Sequence, residues 1–252
     1  MPRRSPIQWP DGARIAVIPC VAFETWPDDV GTPIHPETMR EIKAGGHEIA
    51  SESYIHDYSY MKGREEERAD LEKTVDAIRR VTGEPPPGFL SVGVRPSEHT
   101  PELAAELGYV YWADLQHKDL PYTLRVGHRD LVVIDYLFAL NDYNTNAESG
   151  RAPRELLQIW KDTFDVFYAE GAPSPKMMAW GLHPFLSGRP YRAAILQEFI
   201  RYAKGHPGVW FPRCVDVARW WLLKYRDHHV ETWPNCLSMT TPPIVSKFSV
   251  AG

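Results

Sequence analysis

Apolar positions along this chain fall into short continuous runs separated by longer stretches of helical period. Residues 14–23 are a charged residue followed by Ile15-Ala16-Val17-Ile18-Pro19-Cys20-Val21-Ala22-Phe23, a run that suits a strand buried on both faces. Residues 36–44 read as a short helix stopped by Gly45-Gly46, and 48–51 as a short strand running into a polar segment. Residues 63–81 put Leu71, Val75, Ile78 and Val81 on one helical face, ended by the Pro-rich stretch 83–88. A strand over 89–92, a helix over 100–107 and a strand over 109–113 follow, the last ending at Asp114. Further strands are expected at 131–136, 176–182 and 209–211, and helices at 154–170, 190–204 and 215–223. Strands alternating with helices predict an α/β fold with a largely parallel sheet. Residues 1–12 read as an N-terminal arm and 13–224 as one domain. Residues 225–252 read as a tail without clear period, expected to drape on the surface or on a neighbouring subunit.

In a parallel α/β protein ligands bind at the C-terminal ends of the strands, so polar residues there are candidates for chemistry. Glu24 follows the first strand, Glu52 and His56 follow the second, and His183 follows the strand at 176–182 and precedes Pro184. Asp114, Asn141 and Asp142 occupy comparable positions with weaker support. For Glu24, position alone is equally compatible with a solvated loop acid. Acid, imidazole and amide groups at one rim are what a barrel-type hydrolase needs. Trp26, Tyr54, Trp112 and Trp180 either line a pocket for a flat ring or pack the core.

Composition narrows the partners. A net charge of −5 argues against nucleic acid or an anionic membrane as the main partner. No run reaches transmembrane length, and the basic start has no apolar stretch behind it, so a cytoplasmic location is expected. The three cysteines include no C-x-x-C pair, and Cys20 reads as an inert buried thiol. Motifs for a serine elbow, a P-loop or a dinucleotide are missing, so no nucleotide cofactor is implied.

At these residues the chain resembles the polysaccharide deacetylase, or NodB-homology, family. Gly46-His47-Glu48-Ile49-Ala50-Ser51-Glu52-Ser53-Tyr54-Ile55-His56 is similar to its second motif, and Thr82 to Phe89 with Arg95-Pro96 to its third. Trp180-Gly181-Leu182-His183-Pro184-Phe185-Leu186-Ser187-Gly188-Arg189-Pro190 is similar to the late His-Pro motif of the branch with allantoinase-like, cyclic-imidase-like and peptidoglycan deacetylase members. The resemblance implies a distorted, incomplete (β/α) barrel, with 13–224 as its catalytic domain. It implies hydrolysis of a nonpeptide C–N bond in an acetamido sugar, a linear or cyclic amide, or a ureide. It also implies a zinc-like divalent ion on Glu24, Glu52 and His56, or no metal at all, with Glu24 or a metal-bound hydroxide as base and His183 as acid. Trp26, Tyr54, Arg95 and Asn141 are the expected substrate contacts, in a homo-oligomer.

The sequence departs from the family pattern at three residues and in one spacing. Glu52 stands where the family has a His, Ala22 lies about where it has the catalytic Asp, and Glu24 replaces the metal-binding Asp. About twenty residues separate Glu24 from Gly46, too few for the helix, strand and helix the family has there. Either the barrel is shortened by a βα unit or a native segment near Asp29 to Pro33 is absent from this sequence. A catalytically degenerate member that binds a ligand or scaffolds an oligomer is the competing expectation.

Overall fold

A computed structural model describes residues 6–23, 35–54 and 56–234. In chain order the strands are β1 (Ile15–Val21), β2 (Gly88–Phe89), β3 (Tyr111–Trp112), β4 (Tyr122–Val126), β5 (Arg129–Val133), β6 (Lys176–Leu182), β7 (Val209–Trp210) and β8 (Val230–Thr232). The α-helices are α1 (Pro36–Ala44), α2 (Arg64–Thr82), α3 (Thr100–Glu106), α4 (Pro153–Glu170), α5 (Pro184–Ser187), α6 (Pro190–Lys204) and α7 (Cys214–Lys224). They form two sheets, ordered β6-β1-β7 and β2-β3-β5-β4-β8, with only the β4–β5 hairpin antiparallel. The α/β, largely parallel architecture is the one the apolar runs predict, and the two unclosed sheets make a distorted, incomplete barrel.

Strand β1 shows why the period matters. It pairs in parallel with β6 along its whole length and with β7 at its start, so both its edges are occupied. Its side chains divide between two cores. Ala16 and Ile18 face a core with Trp112, Tyr122, Val133 and Trp221. Ile15 and Val17 face another, with Trp160, Trp180 and Phe199 under α4 and α6. Burying each large side chain contributes roughly 1.5–3 kcal/mol, which is why a run with no polar alternation is stable here. Trp112 and Trp180 are both fully buried, against Trp233 and against Trp160 with Phe199 respectively. Of the two roles left open by the sequence, they take core packing.

The structure corrects several expectations. Residues 48–51 do not form a strand: Ser51 makes a single bridge to Phe89, accepting from Leu90 N and donating to Gly88 O. The stretch is held instead by side chains. Glu48 accepts from the Tyr111 hydroxyl at 2.6 Å and from Val215 N at 2.8 Å, at the start of α7. A carboxylate suits that position, because the first amides of a helix lack intrahelical partners and carry partial positive charge. Burial nevertheless pushes the Glu48 pKa up. The tail is also more structured than its composition suggests. Val230–Thr232 adds a parallel strand to β4, and Trp233 is buried. At the other end Trp9 is buried and donates its Nε1–H to Lys176 O. The hairpin strand β4 escaped the sequence reading, although Gly127-His128 between Val126 and Arg129 is a turn signal. No helix among the described residues is long and apolar enough to cross a membrane.

Candidate functional site

Strand β6 delivers His183 to the rim. The residue after Leu182 leaves the ladder, and Pro184 opens the short helix α5 at a position where its missing N–H has no partner to lose. His183 is buried, and its Nδ1 lies 2.6 Å from Asp142 Oδ1. The same carboxylate accepts His183 N at 2.9 Å and the Ser187 hydroxyl at 2.5 Å. Asp142 is fully buried, so its charge is balanced by these donors rather than by water. An ionised carboxylate at Nδ1 places the proton there and leaves Nε2 to face the site. Tyr143 and Phe185 flank the imidazole, with ring centroids 5.7 and 5.4 Å away.

A second group meets this pair from the end of β5. Tyr136 is buried, and its hydroxyl accepts from Asn141 Nδ2 at 2.8 Å. Asn141 Oδ1 accepts from Tyr143 N at 2.7 Å, so this side chain braces the turn that carries Asp142. The Tyr136 hydroxyl sits against Gly181, where a Cβ would lie 1.6 Å from it. Burial first, then the charges of Cys20, Glu52 and Asp142, push the Tyr136 pKa well up, so the phenol stays protonated. Those influences also put Glu52 within electrostatic reach of the Tyr136 phenol. Tyr136 was not among the sequence candidates; it read as the last residue of a strand. The signal that could have found it is Gly181 inside an otherwise bulky strand, which marks a close approach.

The other expected site residues scatter. Tyr54 is half-buried, with its N–H on Asp70 Oδ2 at 3.0 Å and the Lys73 ammonium 5.7 Å from its ring centre. Arg95 is exposed and lies 4.9 Å over the Tyr58 ring. It follows Val94, whose φ of 56° is unusual for a β-branched residue. Glu24 and Trp26 lie outside the described residues. Glu52 and His56 are both partly buried. They supply one carboxylate and one imidazole, two of the three or four donors zinc takes. Among the described residues no group of three His, Cys, Asp or Glu gathers as a metal cluster. The third expected donor, Glu24, is the one outside the described residues.

Asp114 is a different kind of site residue. Its Oδ1 accepts from Ser91 N at 2.7 Å and Ser91 Oγ at 2.8 Å, and Oδ2 accepts from Trp112 Nε1. Burial outweighs these bonds and pushes its pKa up to about 7. An acid with a raised folded-state pKa binds more protons folded than unfolded. Stability from this group is therefore complete below about pH 4 and is lost as pH rises to about 7. Asp114→Asn is expected to remove that slope. Urea unfolding of both proteins between pH 4 and 8 checks it, and parallel curves would refute it. Asp135, pushed up to about 6 mainly by burial, adds a slope in the lower part of the window that both proteins share. Two cavities, of about 100 and about 300 Å³, lie elsewhere. The first is lined by Lys43, Glu48, Glu84 and Arg213, the second by Lys118, Asp119, Lys176 and Trp221; neither touches His183.

A buried carboxylate orienting an imidazole at the C-terminal end of a parallel strand is acid–base apparatus of the kind hydrolases use. Residues 22–112 match the family model for polysaccharide deacetylase. The chain is 27% identical over 214 residues to a peptidoglycan deacetylase of Helicobacter pylori, covering 72% of each chain. Its fold superposes on that of a "probable polysaccharide deacetylase" of Pseudomonas aeruginosa with a TM-score of 0.78 at 28% identity, covering 89% of this chain and 99% of that one. For Puue allantoinase the TM-score is 0.80 at 28% identity, over 89% and 98% of the two chains. The chain thus resembles polysaccharide deacetylases of the NodB-homology type, and the solved structures it is similar to include both a probable deacetylase and an allantoinase.

Proposed function

We propose that this protein hydrolyses a nonpeptide C–N bond in an acetamido sugar or in a small linear or cyclic amide or ureide. The observation that carries the reading is the His183–Asp142 pair at the end of β6. Cleaving an amide requires a proton for the departing nitrogen, because an amide anion is too poor a leaving group at neutral pH. With Nδ1 committed to Asp142, protonated His183 offers its Nε2 proton to that nitrogen, and Asp142 stabilises the charge it carries beforehand. The buried Tyr136 phenol, held protonated, is proposed to donate to oxygen as it gains negative charge. Glu24 is proposed as the base for the attacking water. The alternation of Tyr143 and Phe185 around the imidazole offers apolar surface to a ring.

A screen of acetamido sugars, hydantoins, imides and ureides tests this proposal. Turnover of at least one class is expected, with a loss of at least about a hundredfold in kcat for His183→Ala while its circular dichroism is unchanged. Ligand binding without turnover of any class would favour a degenerate, ligand-binding member; Ala22, in place of the family's Asp, motivates that second reading. A divalent ion, where required, is proposed to sit on Glu24, Glu52 and His56. Protein purified without chelator is then expected to hold close to one equivalent. Full activity with less than about a tenth of an equivalent would discard that set, since each catalytic centre of this kind needs its own ion.

A further inference from the structure

Two thiols meet at the seam beside β1. Strand β7 pairs in parallel with the start of β1, Val209 opposite Ile15 and Trp210 opposite Ala16. Five residues beyond Ile15 lies Cys20, and five beyond Val209 lies Cys214, the first residue of α7. The equal offsets carry the two side chains to the same level, and their Sγ atoms are 4.0 Å apart. Cys214 is 7% exposed, whereas Cys20 is only partly buried. Tyr111 and Glu48 border the pair. An isolated buried cysteine behaves as a small apolar residue. Two in contact, joined by topology across a gap of 194 residues, have a chemistry that neither has alone.

We propose that Cys20 and Cys214 form a reversible dithiol–disulfide couple, oxidised by a peroxide. Cys20 is the more accessible thiol, so the oxidant meets it first. Its thiolate attacks one peroxide oxygen, the O–O bond breaks, and the sulfur becomes a sulfenic acid as the other oxygen leaves as water. The Cys214 sulfur then attacks the sulfenic sulfur, and hydroxide departs with the Cys214 proton as a second water. Two thiols and one hydrogen peroxide give one disulfide and two waters. The sulfurs close from 4.0 Å to the bonding distance of about 2.05 Å as the bond forms. The bridge fixes the end of β1 to the start of α7.

The test uses the full chain carrying Cys236→Ser, so that Cys20 and Cys214 are the remaining thiols. Treatment with hydrogen peroxide is expected to remove both free thiols and lower the intact mass by two hydrogens. The product should run as a single chain without reductant, and dithiothreitol should restore both thiols. Adding Cys20→Ser or Cys214→Ser should abolish the two-hydrogen loss. Because those variants change a packed seam, the wild-type protein is also digested without reductant, where a peptide joining Cys20 to Cys214 is expected. Retention of both thiols, addition of oxygen atoms without a cross-link, or a cross-linked dimer would each overturn the proposal.

Discussion

Asp142→Asn is expected to cost more function than any other single replacement of comparable size. The carboxamide has the shape of the carboxylate but only one acceptor oxygen. Three groups donate to Asp142: the backbone N–H and Nδ1 of His183, and the Ser187 hydroxyl. The new NH₂ must face at least one of them, donor against donor, inside a fully buried space. Each buried group left without a partner costs about 1–3 kcal/mol, so a fall in thermal midpoint is expected. The functional effect is larger. Without a carboxylate at Nδ1 the imidazole loses both its tautomer and the charge that stabilises its protonated form. On the substrate returned by the screen, kcat should drop by roughly two to four orders of magnitude. A readout independent of substrate is the low-field proton resonance of the His183 Nδ1–H, which should be present in the wild type and lost in the variant. Unchanged turnover together with an unchanged resonance would remove Asp142 from the apparatus.

That pairing marks where sequence reading stops. His183 was legible from position alone, because a histidine that directly follows a long apolar strand and precedes a proline has few other places to be. Asp142 was visible only as one of several polar residues after a strand. The separation of 41 positions spans all of α4, and the sequence offers no register between a turn and a strand end that far apart. The same limit explains the segment around Glu52. Its alternation fitted a strand, but Glu48 is tied by side-chain bonds to β3 and α7, and Ser51 alone enters a ladder. Family resemblance supplied the metal set, and of its three residues Glu24 lies outside the described residues while Glu52 and His56 lie within them. The cysteine pair was hidden for the reason Asp142 was: a parallel register between β1 and β7 created the contact, and no spacing in the sequence encodes it.

Gly181→Ala should be the most damaging single-methyl change in the site. Nothing in the local backbone requires glycine there, since Gly181 lies within β6, paired with Cys20, without a left-handed φ. The constraint is space. The added Cβ would stand 1.6 Å from the Tyr136 hydroxyl and 2.8 Å from Asn141 Nδ2. Neither neighbour can swing into solvent, because both are buried, and Tyr136 cannot move without breaking its bond to Asn141. Overpacking of this kind costs about 1–3 kcal/mol, and more where nothing yields. For a domain of this size that corresponds to a drop of roughly 3–10 °C in thermal midpoint. Loss of activity should exceed what stability alone explains, because Asn141 holds the amide of Tyr143 in the turn next to Asp142. The hydroxyl is the atom in the way, so Tyr136→Phe should partly rescue the stability of Gly181→Ala while leaving the activity low. A coupling of about 0.5–3 kcal/mol between the two changes is expected. Strict additivity would mean that Gly181 and Tyr136 do not meet as described. If they do meet, a small residue in β6 is part of how the acid is placed, because it leaves room for the Tyr136–Asn141 bond that braces the turn carrying Asp142.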